Sequence, residues 1–235
     1  VFIVGMPGCG KSLCAKASAA LFNTPLLKLD MGSMMGKYVG ESEANLRKAI
    51  KIAEAAAPCV LWIDEIEKAF SGVGGNNDIM TRMFGYFLSW MQEKQSSVYV
   101  IATANNADNL PPELKRKGRF DEIFCVNLPN KEERKEILKI HIENKKKKSL
   151  DETALNSVSQ ITDGFNGADI ESVVSEAVEK CFIDSLENKD TTLDERLLKN
   201  IASKTISISK SCKQQIENMK KAFKENNFKD ATTGK

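Results

Sequence analysis

The chain has 235 residues, with 34 Lys+Arg against 32 Asp+Glu, so its formal net charge is only +2. So even a balance gives no electrostatic reason to expect a nucleic acid or an anionic membrane as the main partner. With 42% hydrophobic and 28% charged residues the composition is that of an ordinary globular protein, long enough for a sizeable core. No apolar run approaches the roughly 20 residues needed to span a bilayer. Six cysteines, at 9, 14, 59, 125, 181 and 212, include no CxxC pair, and there is a single histidine. A zinc site or disulfide framework is therefore not expected, and reduced thiols in a cytosol-like compartment fit better. The opening VFIVG carries no Met, basic segment or cleavage site and reads as the middle of a strand in a fragment of a longer protein.

In chain order, residues 1–5 (VFIVG), 25–30 (PLLKLD), 59–63 (CVLWI), 98–103 (VYVIAT) and 123–127 (IFCVN) are predicted strands. Near-continuous apolar runs separated by helical patterns are the mark of buried parallel strands in βαβ units. Leu46, Ala49, Ile50, Ala53 and Ala57 recur at helical spacing, as do Met80, Met83, Phe84, Phe87 and Met91, a stripe read as core packing. All six prolines lie at or before Pro129, and every segment beyond it is helical. Helices are predicted over 131–147, 150–161 and 167–183, where Ile170, Val173, Val174, Ala177, Val178, Cys181 and Phe182 share a face. A fourth is marked by Leu193, Leu197, Leu198 and Ile201, and a fifth by Ile216, Met219 and Phe223. The organisation expected is an α/β domain over 1–129 followed by a small helical domain over 130–235.

Residues 5–12 read GMPGCGKS, matching G-x-x-x-x-G-K-[ST] between a hydrophobic strand and an Ala-rich helix. Gly5, Gly8 and Gly10, with Pro7 and Cys9 between them, let the backbone curl so that successive N–H groups face phosphate oxygens. The helix beginning near Lys11, Ser12 and Leu13 adds the positive end of its dipole. Lys11 is expected to reach the β- and γ-phosphates, and the Ser12 hydroxyl to ligate Mg²⁺. CVLWIDE at 59–65 ends a strand with Asp64 placed for Mg²⁺ and Glu65 placed to polarise an attacking water. In VIATANN at 100–106, Asn105 is the candidate to contact the γ-phosphate or the water, with Asn106 as the alternative. The fold class expected is thus a P-loop NTPase, a parallel sheet flanked by helices, with ATP or ADP and Mg²⁺ as cofactors.

Together with KYVGESEANLRKAI, LPPELKRKGRFD, LPNKEERKEILKIH and GFNGADIESVVSEA, these motifs resemble the AAA+ ATPases of the clade containing membrane-fusion, protein-extraction and microtubule-severing enzymes. The stretches VLWIDEIEKAF, SWMQEKQS, ATANNADNLPPE and KGRFDEIFCVNLPN resemble most closely the uncharacterised-type AAA proteins of plastid genomes and cyanobacteria, and their bacterial relatives. The resemblance implies that the helical domain is a lid and that KRKGRF carries arginine fingers, Arg116 and Arg119, reaching a neighbouring subunit's γ-phosphate; by composition alone the same loop is equally a solvated edge. It further implies a ring, a homo-hexamer, acting on a protein substrate or regulatory partner. Lys37, Tyr38 and Val39 would be its pore loop; read from the residues alone, Tyr38 is equally a local core cap. His141 matches a position near adenine or ribose, and Gly167 and Ala168 match the segment that brings the lid to the nucleotide. No arginine lies between Arg134 and Arg196, in keeping with a clade whose lid lacks a sensor arginine.

The functional expectation is Mg²⁺-dependent ATP hydrolysis coupled to remodelling of a protein partner. An ATP-gated regulatory scaffold that does not thread its partner is the alternative. A nucleic-acid motor is disfavoured by the charge balance. The location expected is cytoplasmic, or the plastid stroma if the gene is organellar. Cys9, inside the phosphate loop, is read mainly as a small hydrophobe, with thiol modification there as a minor means of blocking nucleotide.

Overall fold

The computed structural model describes residues 1–31, 41–70, 78–106, 111–115, 118–146, 150–189, 191–226 and 228–231. It divides into two compact units, one of residues 1–126 with 218–235 and the other of residues 127–217. A helical domain is expected over 130–235; the contacts group residues 127–217 as one unit and 218–235 with the other. Residues 218–235 belong to the first unit, because Lys229–Asp230 add a strand to its sheet.

In the first unit β1 (Phe2–Gly5) leads into α1 (Lys11–Phe22), then β2 (Leu26–Asp30) and α2 (Glu41–Ala55). Next come β3 (Cys59–Asp64), the short α3 (Ile66–Phe70), α4 (Asp78–Glu93), β4 (Val98–Ala104), a 3-10 turn at Pro112–Lys115 and β5 (Ile123–Val126). The strands form one parallel sheet in the order β2-β3-β4-β1-β5-β6, with β6 at Lys229–Asp230. The predicted strands all form within a residue or so of their expected limits; β6, two polar residues long, has no periodicity to announce it.

Burial on both faces explains the apolar runs. Ile3, Val60, Trp62 and Ile101 pack with Ala15 and Ala19 of α1 on one face. Alternate residues of the same strands, Phe2, Val4, Leu61, Ile63 and Val100, are buried on the other. The Met/Phe stripe of α4 is core: Met83, Phe84 and Phe87 are buried, and Phe70 of α3 packs against both phenylalanines. Because β1 lies beside β4 and β4 beside β3, the loops leaving these three parallel strands emerge together at the carboxyl edge of the sheet. That edge is where open α/β sheets bind ligands.

The second unit contains α5 (Lys131–Lys146), α6 (Glu152–Ile161), α7 (Gly167–Leu186), α8 (Glu195–Lys204) and α9 (Ile208–Ser211), and α10 (Lys213–Glu225) begins there. Leu138, Ile142, Leu155, Val158, Ile170, Val173, Val174, Leu198 and Ile201 form its core. Asn166 and Asp169 close a capping box at the start of α7, and Asp169 also accepts the Ile208 N–H, fixing α9. Arg134 is buried, donating to the carbonyls of Pro129 and Ser159 and pairing with Asp163. No helix among the described residues is long and apolar enough to cross a membrane.

Candidate active site

The phosphate loop is shaped by two glycines in the left-handed region, Gly8 at φ 74° and Gly10 at φ 85°. Gly5 serves a different need. A Cβ there would lie 2.6 Å from the Val126 carbonyl oxygen, so only glycine lets β1 run this close to β5. Gly10 starts α1 without a side-chain cap, and the first turn of the helix has no acid. The amide donors at this helix end, which elsewhere a Ser or Asp would cap, are therefore suited to an anion. Pro7 and Leu13 are exposed, while Cys9 and Ser12 are half-buried.

Lys11 is buried and turns back over the loop, donating to the carbonyls of Gly5 at 2.8 Å and Met6 at 2.9 Å. Burial lowers its pKa, and Cys9, Glu67, Asp64 and Glu65 oppose that fall by favouring the charged amine. The loop lysine and the acids at the end of β3 thus share one electrostatic environment.

Asp64, the last residue of β3, has both carboxylate oxygens engaged. Thr103 of β4 donates its hydroxyl to Oδ1 at 2.8 Å, and Lys28 of β2 pairs with Oδ2 at 3.2 Å. Trp62 donates its indole N–H to Thr103 at 3.4 Å, and the Lys28 ammonium stands 4.5 Å from the centre of the Trp62 ring. Lys28, Trp62 and Thr103, from three adjacent strands, therefore close a circuit with Asp64.

Glu65 follows at φ 50°, a left-handed conformation uncommon for a residue with a side chain, and its carbonyl accepts the Lys68 N–H as α3 begins. Its carboxylate accepts from the Asn105 side chain at 2.9 Å and pairs with Lys68 at 2.6 Å. Asn105 thus reaches Glu65 with its side chain. Its backbone N–H donates to Glu67, also at 2.9 Å. Glu67 is buried, and its Oε2 has no hydrogen-bond partner among the described residues. Burial raises its carboxyl pKa, with the Asn105 N–H pulling the other way.

Lys28, Thr103 and Glu67 are not singled out by the sequence reading. Lys28 leaves a faint signal as a cation inside an apolar strand, and Glu67 as a further acid just after Asp64–Glu65. Arg119 is half-buried and donates to the Leu88 carbonyl in α4 at 3.0 Å. Arg116, Lys37, Tyr38 and Val39 lie outside the described residues. In the second unit His141 is half-buried on α5, and Gly167 and Ala168 open α7.

Asp64 and Ser12 offer hard oxygen donors, and no group of three His, Cys, Asp or Glu among the described residues would hold an ion unaided. This donor set fits magnesium, which takes one or two protein oxygens and completes its shell with phosphates and water.

A parallel sheet in this order, with a phosphate loop after β1 and an Asp-Glu pair after β3, defines a P-loop nucleotide-binding module. The chain belongs to the ATPase family associated with various cellular activities (AAA), whose profile matches residues 1–128. It is 44% identical over 221 residues to the uncharacterized AAA domain-containing protein ycf46 of Guillardia theta, covering 93% of this chain and 43% of that protein. The ycf46 protein of Pyropia yezoensis is 42% identical, with 93% and 44% covered. The ATP-dependent zinc metalloprotease FtsH 2 of Salinibacter ruber is 36% identical over 183 residues, covering 75% of this chain and 26% of that protein. The chain thus spans less than half the length of these relatives. Among solved structures, the crystal structure of the FIGL-1 AAA domain in complex with ADP matches with TM-score 0.76 at 20% identity, over 95% of this chain and 77% of that one. At that identity the likeness is one of fold.

Proposed function

We propose that this chain hydrolyses ATP with Mg²⁺ as one subunit of a ring, and that turnover remodels a protein partner. The observation that carries the reading is the Asn105–Glu65 hydrogen bond, which aims a carboxylate from the end of β3 with a group from the end of β4. Glu65 takes a proton from water as the water oxygen attacks the γ-phosphorus. The bond to the β–γ bridging oxygen breaks, and ADP and phosphate leave. Lys11 exchanges the carbonyls of Gly5 and Met6 for phosphate oxygens, and the amides of residues 8–12 hold the β-phosphate. Ser12 and Asp64 would hold Mg²⁺, which would supply positive charge against that developing on the transferring phosphate. Arg116 and Arg119 from the adjoining subunit stabilise the transferring phosphoryl group, an effect worth about 10³–10⁵ in rate.

The test is the ATPase rate per subunit as a function of protein concentration, for the wild-type chain and Arg116→Ala. A rate that rises with concentration and collapses in the variant supports sites completed between subunits. A flat rate indifferent to Arg116 overturns the ring.

A further inference from the structure

We propose that Lys28 is a positioning residue that competes with the divalent cation for Asp64, and so sets how much magnesium the nucleotide-loaded site requires. The proposal rests on the reading of Asp64 as a magnesium ligand. Register explains how Lys28 gets there. In the parallel pairing of β2 with β3, Lys28 is opposite Trp62 and Asp30 is opposite Asp64. A side chain leaving Lys28 therefore rises beside the indole and reaches the carboxylate two residues further along the neighbouring strand.

Two contacts hold the ammonium there, the Trp62 ring at 4.5 Å and Asp64 Oδ2 at 3.2 Å. Trp62 is itself buried and bonded through its N–H to Thr103, so the ring is a fixed platform. Thr103 holds the other oxygen, Oδ1, with a neutral donor that leaves the carboxylate charge intact. The oxygen Lys28 occupies is thus the one paired with a formal charge.

A magnesium ion that coordinates Asp64 has two routes. It displaces the ammonium from Oδ2 and breaks an ion pair, or it binds with the ammonium still beside the carboxylate and meets a like charge at close range. Both routes weaken magnesium binding, so the sign of the effect does not depend on which is taken. A purely structural ion pair would instead alter stability and leave magnesium affinity alone.

The test is calorimetric titration of MgCl₂ into the chain loaded with one equivalent of ADP, for wild type, Lys28→Met, Lys28→Gln, Lys28→Arg and Asp64→Asn, with tryptophan emission followed alongside. Lys28→Met keeps the apolar stem over Trp62 and removes only the charge. The expected result is magnesium affinity about three- to tenfold tighter in Lys28→Met and Lys28→Gln, and close to wild type in Lys28→Arg. Where magnesium displaces the ammonium from Oδ2, tryptophan emission should change more in wild type than in Lys28→Met, which has no ammonium over the Trp62 ring to displace. Unchanged or weaker affinity in both neutral variants, with Asp64→Asn still binding magnesium poorly, overturns the role of Lys28 alone. Magnesium affinity unaffected by Asp64→Asn overturns the metal-site reading and this proposal with it.

Discussion

Asn105 donates its side-chain N–H to Glu65 across 2.9 Å, joining residues 40 positions apart in the chain. The bond exists because β3 and β4 are parallel neighbours whose carboxyl ends finish together. Glu65→Gln should bind ATP and turn it over about 10²–10⁴-fold more slowly, the usual weight of a general base. Asn105→Ala should lower kcat with little change in nucleotide affinity, since it removes an orienting contact rather than a phosphate cradle. Steady-state ATPase assays with a parallel binding titration check both, and normal turnover in Glu65→Gln would refute the assignment.

Lys11 is the loop residue whose loss should show in binding. At ADP concentrations near 100 Kd the wild-type chain gains about 2.7 kcal/mol of stability by linkage. Lys11→Ala should lose most of the corresponding rise in melting temperature at the same ADP concentration. Equal thermal shifts in the two proteins would count against the phosphate site.

Glu67 gives a pH dependence with a definite sign. Burial holds its carboxyl pKa above the ordinary value of 4.5, despite the Asn105 N–H. The folded chain therefore keeps this proton to higher pH than the unfolded chain does, and stability falls as pH rises from 4.5 through the raised value. Glu67→Gln retains a carbonyl oxygen for the Asn105 N–H and lacks that slope. It should melt above wild type at pH values beyond this window, with the difference fading as pH falls below it. Melting curves that track wild type at every pH would contradict the assignment.

The glycines of the phosphate loop separate by mechanism. Gly5→Ala puts a Cβ 2.6 Å from a backbone oxygen of β5, which can yield only if strands move apart. It should cost roughly 2 kcal/mol or more, with about 2–4 °C of melting temperature lost per kcal/mol. Gly10→Ala meets nothing within 4 Å and is opposed only by its φ of 85°, a strain of about 1–2 kcal/mol. Thermal denaturation of the two variants checks the order.

Much of this architecture is legible in the residues because its signals are local. CVLWI reads as a strand since both its faces are buried, and GMPGCGKS carries its own turn chemistry. What escapes is what depends on register between strands. That Lys28 meets Trp62 follows from the pairing of β2 with β3, which no spacing within PLLKLD encodes. That Asn105 meets Glu65 is of the same kind, because it follows from β3 and β4 lying side by side. Lys229–Asp230 is too short and too polar to look like a strand, yet it pairs with β5 at the edge of the sheet.

That small strand has a consequence for how the chain behaves in company. Beside β6, the Cys125 carbonyl accepts the Ala231 N–H and Lys229 pairs with Glu122, so the outer side of β5 is covered by a strand of its own chain. A chain shortened before Phe228 would leave that row of amides and carbonyls bare, a template to which strands of other molecules can add. Such a protein would gather into aggregates through its sheet edge, by contacts unrelated to any ring. Residues 228–231 thus act as a selvedge along β5, and self-association reports on subunit assembly only while they remain in place.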